Sequence, residues 1–151
     1  MRTYLVVVDE TPEAEVALRF AARRAAKTKG TVQILALIPP VEFVGLSGVQ
    51  ATLEEEARQH AEALVASAAS ILTEESGIKP SITVQAGEPV PLIRQALADN
   101  PDIAALVLGA AATGSPGPLV NHFACVESGQ MPCPVMVVPG GLDNDALDRL
   151  S

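Results

Sequence analysis

Asp9 closes the run Tyr4-Leu-Val-Val-Val8. Its carboxylate therefore stands at the carboxyl end of a strand, where it can accept hydrogen bonds from a ribose or a base, or serve a local turn or cap with Thr11. Gly109 ends a second apolar run, Ile103 to Leu108, and opens a small-residue segment, Ala110 to Pro118, that holds Thr113, Gly114, Ser115 and Gly117. Glycine there gives a backbone room to approach a phosphate, with loop amides and a helix N-terminus as donors. It equally fits an ordinary turn. His122 follows near the start of a helical stretch, facing that phosphate or lying on the surface. The loop lacks the Lys of a P-loop, and no G-x-G-x-x-G marks a dinucleotide site of the usual kind.

Other chemistry-bearing residues read as structural. His60 lies among charged and polar residues of a helical segment and is expected to be solvated, as is the Glu54-Glu55-Glu56 run beside Arg58. Cys125 and Cys133 make neither a disulfide framework nor a metal cage, and are expected to be small buried apolar residues. No nucleophile–base spacing, metal cluster or carboxylate pair stands in one motif, so no metal is required by the sequence.

The 151 residues are 48% hydrophobic and 19% charged, which places the chain outside the disordered class. Net charge is 10 − 18 = −8, so the chain lacks the basic field that draws proteins to nucleic acid or anionic membranes. A bound phosphate must then be held by local donors. The longest apolar run, Ile103 to Ala112, is far short of the ~20 residues that span a bilayer. No secretory signal is visible, and a cytoplasmic protein is the expectation.

The elements that must position Asp9 and Gly109 alternate. Strands are expected at Tyr4 to Val8, Thr31 to Ile38 (closed by Pro39-Pro40), Ser81 to Ala86, Ile103 to Leu108 and Val135 to Val138. Between them, a helix capped by Thr11 with Pro12 first is stopped by Gly30. A loop, Val41 to Val49, leads to a long helix from about Ala51 to Ser76, closed by Gly77. A third helix opens at Gly87-Glu-Pro, and a weaker one covers Leu119 to Gln130. The β-α-β-α-β-α-β-α-β order implies a three-layer α/β/α fold with an open, twisted, five-stranded parallel sheet. With strand order 3-2-1-4-5, the order reverses between strands one and four, which brings the Asp9 and Gly109 loops face to face. The domain is expected over residues 1–140, followed by an acidic tail, 141–151, able to form one or two helical turns.

An ordered set of segments resembles the universal stress protein family, the UspA-like domain. They are the first strand ending in Asp9, Gly87-Glu-Pro-Val-Pro-Leu-Ile93 before the third helix, Ile103-Ala-Ala-Leu-Val-Leu-Gly109, and Pro132-Cys-Pro-Val-Met-Val-Val138. The resemblance runs from about Thr3 to Pro139 and implies an adenine nucleotide alpha hydrolase-like fold. Nucleotide-binding members carry Gly-x2-Gly-x9-Gly and then Ser or Thr after the fourth strand. Here the first glycine is Gly109, the second position falls on Ala112, and the last pair falls near Asn121-His122 with one residue deleted. By position, Leu37 and Leu108 resemble the family's adenine contacts, and Asp9 its adenine and ribose contact.

The resemblance implies a cytoplasmic stress-response module, regulatory or protective, that binds ATP or another adenine nucleotide weakly. It is expected not to be an enzyme beyond very slow ATP hydrolysis, since the 109–131 stretch has no Lys or Arg. The alternative is a non-nucleotide-binding interaction protein of the same fold. The uncharged strand Val135 to Val138 would lie at a sheet edge and pair with its own copy, making a homodimer. If ATP binds, Asp9→Ala and Gly109→Val are each expected to weaken it without unfolding the chain.

Overall fold

The run Thr3–Val8 forms β1, and all six residues are buried, as a strand covered on both faces must be. The computed structural model describes residues 2–38, 47–79 and 81–151. Around β1, the strands β2 (Thr31–Ile38), β3 (Ser81–Ala86), β4 (Ile103–Ala110) and β5 (Val135–Pro139) form one sheet in the order β3-β2-β1-β4-β5. Every pairing is parallel, which confirms the expected topology. The register between β1 and β4 slips at Thr3/Tyr4. The Pro39-Pro40 stop and most of the Val41 to Val49 loop fall outside the described residues.

Alternate side chains of β1 feed two cores. Tyr4, Val6 and Val8 join α1 (Pro12–Thr28) and α2 (Ser47–Ser76) on one face. Leu5 and Val7 join α3 (Pro89–Asp99) and Phe123 on the other. Small residues let α1 lie close: Ala14, Ala17, Ala21, Ala22 and Ala25 are buried along it. Thr11 caps α1 as expected, its hydroxyl accepting from Ala14 N–H at 3.3 Å. Gly30 is not the cap. Lys29 takes the left-handed turn at φ 57°, while a side chain on Gly30 would meet the Arg2 carbonyl oxygen at 2.5 Å.

Two helical expectations are corrected. The second helix begins at Ser47 instead of about Ala51. The single helix expected over Leu119 to Gln130 is instead α4 (Pro118–Asn121), a wider π-type turn over His122–Val126 and a short turn at Ser128–Gln130. The wider winding accompanies the complete burial of Phe123, and the Glu127 N–H closes it on the His122 carbonyl at 2.9 Å. It also leaves Cys125 exposed, contrary to expectation, while Cys133 is half-buried.

Residues Asn144–Leu150 form α5, capped by Asp143 accepting from Ala146 N–H at 2.9 Å. Leu147 is buried in the α1–α2 core. Arg23 reaches Asp148 at 3.1 Å and Glu75 of α2 at 2.8 Å, tying three helices together. Arg23 also donates to the Asn144 carbonyl at 3.1 Å, and Lys27 to that of Asp148.

Candidate functional site

The strand order reverses between β1 and β4, and two adjoining clefts open at the carboxyl ends there. The larger, about 540 Å³, runs between the loop after β1, the ends of β2 and β3, and the start of α4. Leu37, Ile38, Val90, Pro118 and Leu119 give it an apolar floor and walls, and Asp9, Glu10, Thr11 and Glu88 supply polar groups. The smaller, about 80 Å³, lies against Leu108, Gly109, Glu13 and Gly117. Asp9, Thr11, Pro118 and Leu119 border both. A pocket of the larger size, mostly apolar with a few convergent polar groups, fits a small organic ligand.

Asp9 is held by its own turn. Its Oδ1 accepts from the Thr11 N–H at 2.9 Å and from the Thr11 hydroxyl at 2.5 Å. The turn and the cleft-facing position thus coexist at one residue, with Oδ2 free of hydrogen bonds among the described residues.

Gly109 has a packing role besides its place in the smaller cleft. A Cβ there would fall inside 3.0 Å of the Glu13 carbonyl group and at 3.0 Å from the Ala14 nitrogen. Gly140, just after β5, is seated in the same way, its Cβ position 2.8 Å from Glu13 Cβ. The first turn of α1 therefore rests on two strand ends that lack side chains. Gly109→Val drives a side chain into helix backbone, so the expectation that it would spare the fold is withdrawn.

The remaining candidates are spread out. Asp9 and Leu37 meet in the larger cleft, and Asp9, Leu108 and Gly109 in the smaller. Ala112 is exposed, 3.6 Å from the position of a Cβ on Gly141. Asn121 is exposed and donates to Ser115 Oγ at 3.3 Å, bracing the loop whose Ala111 N–H bonds the Pro116 carbonyl at 3.1 Å. His122 lines neither cleft. Its Nε2 lies 2.6 Å from Glu127 Oε2 and 3.3 Å from Arg94 Nη2. Arg94 also donates to Glu127 at 2.8 Å, and this guanidinium, with His122, holds the Glu127 carboxyl below its ordinary range. His122 thus ties the turn after α4 to α3. His60, expected to be free in solvent, is exposed but pairs with Glu10 at 2.9 Å.

Thr11, Glu88, Val90 and Leu119 are cleft residues that sequence reasoning left out. Thr11 and Glu88 had a readable signal, since each follows a strand's carboxyl end. Val90 and Leu119 had none, as apolar first-turn residues look the same in a core. Among the described residues, no group of three His, Cys, Asp or Glu side chains could hold a metal ion, and no helix is long and apolar enough to cross a membrane.

Known structures share this architecture. The universal stress protein UspA of Lactobacillus plantarum is 20% identical and superposes with a TM-score of 0.73, over 91% of this chain and 97% of that one. The universal stress protein of Archaeoglobus fulgidus in complex with dAMP is 21% identical, at 0.60 over 91% and 97%. An Arabidopsis thaliana member of the family with AMP bound is 16% identical, at 0.55 over 96% and 94%. At these identities the likeness establishes the fold. No curated protein matches the sequence at a comparable standard. The model of the Universal stress protein family matches residues 1–139, and the chain belongs to that family.

Proposed function

We propose that the protein is a stress-response module, regulatory or protective, that binds an adenine nucleotide weakly in the paired clefts at the carboxyl edge of the sheet. The observation that carries this reading is the placement of Asp9, with one carboxylate oxygen unbonded among the described residues, beside the apolar walls of Leu37, Ile38, Val90 and Leu119. A flat purine suits such walls, and a carboxylate accepts from an exocyclic amine or a ribose hydroxyl. Relatives solved with dAMP and AMP bound support it. In this reading Leu37 and Leu108 contact the base, Gly109 borders the sugar–phosphate, and Ala112, Asn121 and His122 shape the surrounding loop.

The same reading makes the protein cytoplasmic, and a binder with at most very slow hydrolysis, because phosphoryl transfer needs cationic charge on the moving group. It also makes the protein a homodimer through Val135–Val138, supported by the apolar edge of β5, where Val137 is 40% exposed. The second reading is an interaction protein of this fold without a nucleotide, which the absence of any Lys or Arg among the described residues of the cleft linings favours. Titration calorimetry separates them. Millimolar AMP is expected to give saturable heat that Asp9→Ala reduces at least tenfold in affinity. No heat from AMP, ADP or ATP with the unmodified protein would remove the nucleotide reading.

A further inference from the structure

Among the described residues, four acidic ones, Asp9, Glu10, Glu13 and Glu88, border the paired clefts. Among the described residues, no Lys or Arg borders them, nor the third cavity, of about 320 Å³, that shares Asp9, Glu10 and Thr11 between α1 and α2. The ten cations are placed elsewhere. Arg19, Arg23 and Lys27 are tied to Glu75, Asp148 and Ser151 on the outer side of α1. Arg58 is held by Glu55 and Glu62, and Arg94 by Glu127. None stands between Lys29 and Arg58 or between Arg94 and Arg149, which covers every turn after β2 and after β4.

Backbone donors at three helix starts of this edge are reduced as well. Three of the helices that begin at this edge, α1, α3 and α4, open with a proline: Pro12, Pro89 and Pro118. Each proline removes one N–H that would otherwise point at an anion. Pro91 removes another from the first turn of α3, and the Ala14 N–H of α1 is already given to Thr11. A helix N-terminus holds phosphate through such free N–H groups. Here they are few, and the acidic Glu13 and Glu88 stand beside them.

We infer that the cleft discriminates by ligand charge, taking an adenine nucleoside or monophosphate in preference to the triphosphate. This inference rests on the adenine reading above and specifies its ligand class. Each added phosphoryl group brings further negative charge beside these acidic residues, and in a cleft such like-charge repulsion is only partly screened.

The test titrates adenosine, AMP and ATP in magnesium-free buffer at low salt. AMP is expected to bind at least tenfold more tightly than ATP. Added sodium chloride is expected to narrow that ratio, since screening relieves repulsion. Glu88→Gln and Glu10→Gln are each expected to move the ATP-to-AMP ratio towards unity by about threefold, and to leave the urea unfolding midpoint nearly in place, as both residues are exposed and the Glu10–His60 pair lies at the surface. If ATP binds as tightly as AMP or more so, the charge selection is overturned while the adenine reading stands. If AMP wins but the ratio ignores both salt and the two Gln variants, the carboxylates are not its cause and the inference fails. If none of the three binds, the adenine reading falls and the selection falls with it.

Discussion

Gly109→Ala tests how α1 is seated. The new Cβ would fall inside 3.0 Å of the Glu13 carbonyl group and at 3.0 Å from the Ala14 nitrogen. These are backbone atoms of a helix whose next turns bury Ala17, Leu18, Ala21 and Ala22 completely, so neither side can swing away as a flexible side chain would. Overpacking of this kind costs about 1–3 kcal/mol, and contact with backbone puts it near 3. Loss of glycine freedom in the unfolded chain returns about 0.4–1 kcal/mol. The net expectation is about 2 kcal/mol of destabilisation, which at this chain length lowers the melting temperature by about 4–8 °C. Urea unfolding followed by circular dichroism measures it. Gly129→Ala is the control, because nothing lies within 4 Å of a Cβ there and its φ is not positive. A Gly109→Ala stability within about 0.5 kcal/mol of that control would refute the close-seating account.

Other expectations follow from the same structure. Val137→Lys, alone or with Val135→Lys, should shift the protein towards monomer, and sedimentation equilibrium at tens of micromolar decides whether the unmodified chain has the mass of two. Purified protein should not turn over ATP steadily; multiple turnovers lost in Asp9→Ala would contradict the binding-only reading. Glu127 has a depressed folded pKa, so its contribution is present at neutral pH and lost as pH falls through that depressed value. Glu127→Gln should therefore lose less stability than the parent on acidification, and parallel acid unfolding curves would show that the Arg94–Glu127–His122 cluster does not contribute. Burial raises the Cys133 thiol pKa while Cys125 is exposed, so a maleimide pulse should label Cys125 first.

The strand order was readable because each strand is a short apolar run between turn residues, and strict alternation with helices leaves few parallel topologies. Asp9 was found by that topology, since the carboxyl end of β1 at a reversal is a general ligand position. The turn after α4 was not readable. Nothing in Leu119 to Gln130 announces a π-type winding, which accompanies the burial of one side chain, Phe123. The partners of His122 were unreadable for the same reason: across the wider turn its ring meets Glu127 and Arg94. The packing role of Gly109 was not readable, because a sequence cannot say what lies behind a missing side chain; here it is the Glu13 backbone.

The docking of α5 on α1 joins residues 121 positions apart in the chain. Seven residues make too short a helix to persist alone in water, so α5 exists only once α1 is in place to receive it. Closing so large a loop is expected late in folding, because its entropy is spent before its few contacts form. Leu147→Ala should then cost about 2–4 kcal/mol and act mainly by hastening unfolding, with the folding rate nearly unchanged. The contact that completes the outer surface of α1 is in this sense a kinetic clasp, felt when the protein opens and scarcely when it folds.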